Sequence, residues 1–194
     1  MTRIAPLEAP YSAEAGSLLR SMMPDGLEPI RLFRTLARNL PMTTAMQTWG
    51  GYELSRGLSV GMREREIVID RTCARCGCEY EWGVHIAFFA DRVALSPGQI
   101  TSLTHGDATD PCWTTDRERL LIRTVDQLHT GNDLTGELWD ALAAEFTQPQ
   151  LIDLIALCGW YHAISFLARG MRVEPEPGTP RFADVAPARR PGED

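Results

Sequence analysis

No stretch of this sequence is both long and uninterruptedly apolar. Met1 to Ala15 lacks the continuous hydrophobic segment of a secretory signal, so a cytoplasmic location is expected. The most apolar segment, Leu151 to Ala168, is broken by Asp153, Gly159, His162 and Ser165 and reads as a buried helix, not a membrane span. An excess of positive charge is also missing. The 194 residues carry 26 Asp and Glu against 19 Lys and Arg, a formal charge of −7. Phosphate backbones need a basic surface, so nucleic acid is not an expected partner, and neither is a membrane. Cysteine is sparse and odd in number, at 5. Without an export signal, these are expected to be reduced thiols and not a disulfide framework. No internal repeat, low-complexity block or second domain is visible. What remains is a chain that is 44% hydrophobic, long enough for one compact domain with a sizeable core.

The punctuation is helical. Ser12 is placed to cap a first helix running to about Met23, which Pro24-Asp25-Gly26 breaks. Apolar spacing predicts a second helix over Leu27 to Asn39, ended by Pro41, and a third over Met42 to Arg56. A fourth is expected over Arg63 to Arg75 despite the β-branched run Ile67-Val68-Ile69, because no second convincing strand exists to pair with it. Gly77 marks a bend before a fifth helix, Cys78 to Leu95. Ser96-Pro97 opens another, Thr115 with Glu118 forms a capping box for a helix closed by Gly131, and Thr135 starts one through Phe146. A last long helix runs from Pro149 to Arg169 and stops at Gly170. Residues 1–170 thus read as a single all-α domain with its core from Leu32 onward, and residues 171–194 as a Pro- and Gly-rich tail that wraps the surface or frays.

Cys78, Glu81 and His85 stand at i, i+3 and i+7 on the fifth helix. At about 100° per residue they share one stripe, and Ile86, Phe88 and Phe89 indicate that this helix is largely buried. A carboxylate and an imidazole buried together need each other or a pocket, and a Glu one turn before a His is a natural proton relay. The same pair on a solvated helix would be an ordinary surface contact.

The segment Glu66-x11-Cys78-x2-Glu81-x3-His85 resembles the signature of the alkylhydroperoxidase D and carboxymuconolactone decarboxylase superfamily, in which Glu precedes Cys-x-x-Cys and His at these spacings. Glu81 replaces the second cysteine. The surrounding Arg65 to Ile69 and Glu79 to His85 are closer to the decarboxylase-like branch. The similarity spans Leu32 to Gly170. It implies a cofactor-free all-α fold assembled as a trimer or hexamer, with sites near subunit contacts. It also implies His85 as general acid/base, Glu66 as its partner from the preceding helix, Glu81 as a second carboxylate, and Cys78 as pocket residue or nucleophile. A dithiol peroxidase needs a resolving thiol one turn away, which Glu81 cannot supply, and a neighbouring carboxylate disfavours a thiolate.

The expected activity is therefore a lyase-type acid–base reaction on a small carboxylated lactone or related ring, one of Arg63, Arg65, Arg71 and Arg75 holding the carboxylate or all four forming a solvated face. Two alternatives stand beside it: a cysteine-dependent hydroperoxide reductase using Cys78, with Cys73 or Cys76 resolving, and a non-catalytic oligomer. No metal is expected, although Cys73, Cys76, Cys78 and His85 count as a zinc quartet on ligand type alone. Trp82 is expected to wall a substrate pocket, with Trp49 beside it, the alternative for both being ordinary core. Tyr161 is expected in the core, and His162 in the core or on the pocket.

Overall fold

The computed structural model describes residues 1–186, and among these there is no β-strand. In chain order the α-helices are α1 (Ala13–Ser21), α2 (Arg31–Leu36), α3 (Leu40–Glu53), α4 (Met62–Arg75), α5 (Glu79–Phe89), α6 (Pro97–His105), α7 (Asp116–Gly131), α8 (Gly136–Glu145) and α9 (Gln148–Met171), followed by a short 3-10 turn, Phe182–Val185. The all-α expectation holds. Of the expected tail, residues 187–194 lie outside the described residues.

Helix α4 is the hub, packed against α5, α6, α7 and α9. Its β-branched run Ile67-Val68-Ile69 is fully buried on several sides. A helix surrounded in this way is stabilised by burial on the order of 2 kcal/mol per large apolar side chain, more than the few tenths lost by each β-branched residue. Helix α9 is apolar and long enough to cross a membrane, yet it buries Leu151, Leu154, Leu157, Trp160 and Ile164 against the other helices. It is a core helix.

Four boundaries differ from the sequence expectation, each for a local reason. Helix α2 begins only at Arg31, because Glu28 precedes Pro29 and Ile30 is extended (ψ 156°). Pro41 does not end α2 but sits in the first turn of α3, where its missing N–H costs nothing; Asn39 caps that turn by accepting from Met42 N. Helix α5 stops at Phe89 and not Leu95, since Ala94 turns left-handed (φ 52°). Helix α9 continues past Gly170 to Met171 and is capped by the left-handed Arg172 (φ 53°). The Thr115 cap forms, but Glu118 turns to Arg63 Nε (2.7 Å) instead of closing the box.

Up to Ala186 the tail wraps the bundle. Glu176 accepts from Tyr80 Oη (2.6 Å) and from the Arg31 backbone N–H, tying it to the start of α2. Phe182 stacks edge-on against Trp82 (centroids 5.0 Å apart), and its N–H donates to Glu79 Oε1 (2.9 Å). Gly83 permits this approach, because a Cβ there would meet Pro180 O at 2.7 Å.

Candidate active site

Helix α4 ends in a Schellman turn. Gly77 is left-handed (φ 62°), Cys78 N donates to Cys73 O (2.8 Å) and Gly77 N to Ala74 O (2.9 Å). This reversal lays α5 back along α4 and carries His85 to Glu66. His85 Nδ1 is 2.7 Å from Glu66 Oε2, with His85 only 3% exposed and Glu66 fully buried. The other oxygen of Glu66, Oε1, accepts from Arg65 Nε at 2.7 Å. On the far edge of the ring, Nε2 lies 3.0 Å from Tyr161 Oη and 3.6 Å from Glu81 Oε1. One imidazole thus has an acid on each side, and beside Glu81 a phenol, Tyr161, that reaches it from the core.

Burial works against a charged ring here. The Glu66 carboxylate, then Glu81, outweighs it, and the pKa of His85 sits at about 10. At neutral pH the ring is an imidazolium donating from both nitrogens. Burial likewise disfavours a charged Glu66, but His85 and Arg65 hold its carboxyl below the usual range. Asp70, one turn further along α4, has no ion-pair partner among the described residues. It is 1% exposed, its Oδ1 has no partner, and burial, then Glu66, pushes its carboxyl well above the usual carboxylate range against the pull of His85. The sequence reading passed over Asp70; its only signal was i+4 spacing from Glu66.

The cluster backs onto a cavity of about 340 Å3 between α1, α2, α3 and α9. Its wall is mostly apolar (Leu32, Phe33, Leu36, Met46, Trp160, Ile164), and among the described residues Glu81 and Tyr161 are the only ionisable ones in it. Glu81 Oε2 is buried and without a partner. Three larger surface hollows, of about 550, 570 and 400 Å3, are more open and lie away from this cluster. Gly50 sets the close approach of α3 to α9, since a Cβ there would meet Trp160 Cζ2 at 2.6 Å.

The other expected site residues fall elsewhere. Cys78 is the N-cap of α5, fully buried and absent from the cavity wall. Burial pushes its thiol up to about 11, against a favourable contact with the Glu81 backbone. Trp82 is fully buried against Phe182 and does not reach the cavity, and Trp49 stacks on Trp160 from outside. His162 points the other way from α9, with Nε2 3.0 Å from His129 Nδ1. The substrate-binding expectation for Trp82 and His162 is therefore corrected: Trp82 anchors the tail and His162 faces a second cluster. The imagined zinc quartet does not assemble either. Among the described residues, Cys76 converges with His129 and His162, not with His85. All five cysteines are free thiols.

The arginines are engaged as well. Arg63 pairs with Glu118, Arg65 with Glu66, and Arg71 and Arg75 with Asp126. None lines the cavity, so the expected carboxylate clamp is not there.

No family model and no curated protein matches the sequence. Solved structures do. A peroxidase-related protein from Silicibacter sp. TM1040 superposes with a TM-score of 0.79 at 14% identity, over 93% of this chain and 95% of that one. A peroxidase-related protein from Ralstonia eutropha JMP134, described as an alkylhydroperoxidase AhpD core, gives 0.75 at 16% identity over 90% and 93%. The debrominase Bmp8 gives 0.73 at 14% over 95% and 96%. The chain has the alkylhydroperoxidase D-like helical fold.

Proposed function

We propose that on this fold the chain is a cofactor-independent acid–base enzyme that moves a proton on a small, uncharged, largely apolar molecule held in the cavity. The observation that carries this reading is Glu81, a residue of the cavity wall whose buried Oε2 has no partner, backed by the His85 imidazolium. Glu81 is the base that takes a proton from an acidic C–H of the substrate. The electron pair left behind moves onto an adjoining carbonyl oxygen. Tyr161 Oη donates a hydrogen bond to that oxygen while accepting one from His85 Nε2–H, so the imidazolium charge stabilises the enolate through the phenol. Burial keeps the Tyr161 phenol protonated and able to donate. Return of the proton from Glu81 to another atom completes an isomerisation, and departure of a leaving group completes an elimination of the lyase type. The absence of a cation in the wall argues against a carboxylated ring as substrate. The chain also contains no lysine, all 19 of its basic residues being arginine, which excludes Schiff-base chemistry through a side-chain amine.

The thiol reading has the peroxidase-related neighbours in its favour, and the buried, high-pKa Cys78 against it. Deuterium incorporation into small cyclic ketones and lactones in D2O, followed by proton NMR, separates the two. Catalysed exchange lost in Glu81→Gln and Tyr161→Phe but kept in Cys78→Ser is expected. Hydroperoxide consumption that disappears with Cys78→Ser, and no Glu81-dependent exchange, would overturn the proposal.

The same reading has the chain working as a homo-oligomer. Ile152, Ile155 and Phe166 set an apolar stripe along α9 at 67%, 39% and 71% exposure. Sedimentation should show an assembly larger than one chain.

A further inference from the structure

A second cluster of ligating side chains lies on the opposite side of α9 from the cavity. Cys76 caps the C-terminus of α4, His129 is in the last turn of α7, and His162 is in the middle of α9. Three elements far apart in sequence thus deliver one thiol sulfur and two imidazole nitrogens, all within 4.8 Å of one another. Cys76 Sγ is 3.9 Å from His129 Nδ1, and His129 Nδ1 is 3.0 Å from His162 Nε2. A tetrahedral zinc ion with bonds of roughly 2.3 Å to sulfur and 2.0 to 2.1 Å to nitrogen holds its ligand atoms about 3.6 Å (S to N) and 3.3 Å (N to N) apart. The Cys76–His129 and His129–His162 distances differ from that by a few tenths of an ångström, and the Cys76–His162 separation, within 4.8 Å, closes by side-chain rotation.

The tautomer of His162 also fits. Its Nδ1 is 2.8 Å from the Cys158 carbonyl, which can only accept, so Nδ1 carries the proton and Nε2 presents its lone pair to the cluster. A backbone carbonyl on the far nitrogen is the usual way a metal-binding imidazole is oriented. Cys76 is nearly buried, whereas the two histidines are half-buried, so an ion has a path from solvent. The donor set is soft to borderline and contains no oxygen, which suits Zn2+ and disfavours Mg2+ and Ca2+.

We propose that Cys76, His129 and His162 form a zinc site with three protein ligands and an open fourth position. The site clamps α4, α7 and α9 and is separate from the His85 cluster. The proposal does not depend on the acid–base reading of the cavity, and its tests do not measure turnover.

The test is titration of the full chain, stripped with chelator, first with Zn2+ by calorimetry and then with Co2+ by absorption. One equivalent of Zn2+ is expected at micromolar or tighter affinity, with a rise in melting temperature on addition. Co2+ should give the visible bands of a tetrahedral site and a thiolate-to-cobalt charge-transfer band in the near ultraviolet. His129→Gln and His162→Gln, at half-buried positions where folding can be checked by circular dichroism, should each weaken Zn2+ at least tenfold and remove the melting shift. Cys76→Ser should lose the charge-transfer band, while Cys112→Ser and His85→Asn bind as the parent does. The proposal is overturned if the folded parent takes up no Zn2+ at 100 µM, if affinity is unchanged in both histidine variants, or if His85→Asn is the variant that loses the metal.

Discussion

His85 and Asp70 show how the same burial acts with and without a close counter-charge. His85 has Glu66 at 2.7 Å and stays protonated to about pH 10, whereas Asp70 has no ion-pair partner among the described residues and its carboxyl is pushed well above the usual range. Each makes stability depend on pH. The folded pKa of His85 lies above its ordinary 6.5, so its contribution is complete below pH 6.5 and is lost as pH rises through about 10. The stability difference between the parent and His85→Gln, measured by urea denaturation, should shrink by about 1.4 kcal/mol per pH unit across that window. Asp70 is a carboxyl with a raised folded pKa, so above its ordinary 3.8 the unfolded chain gains by ionising and the fold is penalised. Asp70→Asn should therefore be more stable than the parent at pH 7 and lose that advantage at pH 3. Glu66→Gln leaves the buried imidazolium without its counter-charge and should cost about 3 to 5 kcal/mol at pH 7. The Glu66–His85 pair was legible in the sequence, because its spacing fits one helix folding back on the next. Tyr161 was visible as a polar interruption of an apolar helix, but periodicity does not say which buried partner a hydroxyl meets. Asp70 was invisible because helical spacing cannot tell a buried acid from a solvated one.

At the scale of elements, the site depends on two glycines, one for a turn and one for a close approach. Gly77 makes the left-handed turn that lays α5 along α4. Gly50 lets α3 reach Trp160, and Gly50→Ala should push α3 off α9 at a cost of roughly 1 to 3 kcal/mol while widening the cavity, read as a lower melting temperature and a changed Trp fluorescence. The sequence placed most helices correctly, because capping residues and apolar spacing are local signals. It misplaced the α2–α3 junction because Pro41 serves equally as a stop and as a first-turn residue. It overextended α5 because Ala94 enters the left-handed region with no glycine to announce it.

For the whole molecule, the tail and the N-terminal segment close the bundle from outside. Arg3 N donates to Met171 O (2.9 Å), Phe182 covers Trp82, and Glu176 engages Tyr80 and α2. Deleting residues 174–194 should expose Trp82, red-shift its emission and lower the unfolding midpoint in urea; an unchanged spectrum and midpoint would show that the wrap contributes nothing. Composition alone left wrapping and fraying both open, since a Pro-rich segment binds a surface only if particular side chains find partners on it.

The central claim is a buried imidazolium held between Glu66 on one side and Tyr161 with Glu81 on the other. The most direct measurement is the 15N NMR spectrum of His85, followed from pH 6 to 11 in protein with labelled histidine. Both ring nitrogens should be protonated at pH 8 and titrate together near pH 10. A ring at pH 7 with one protonated and one bare nitrogen would contradict the account.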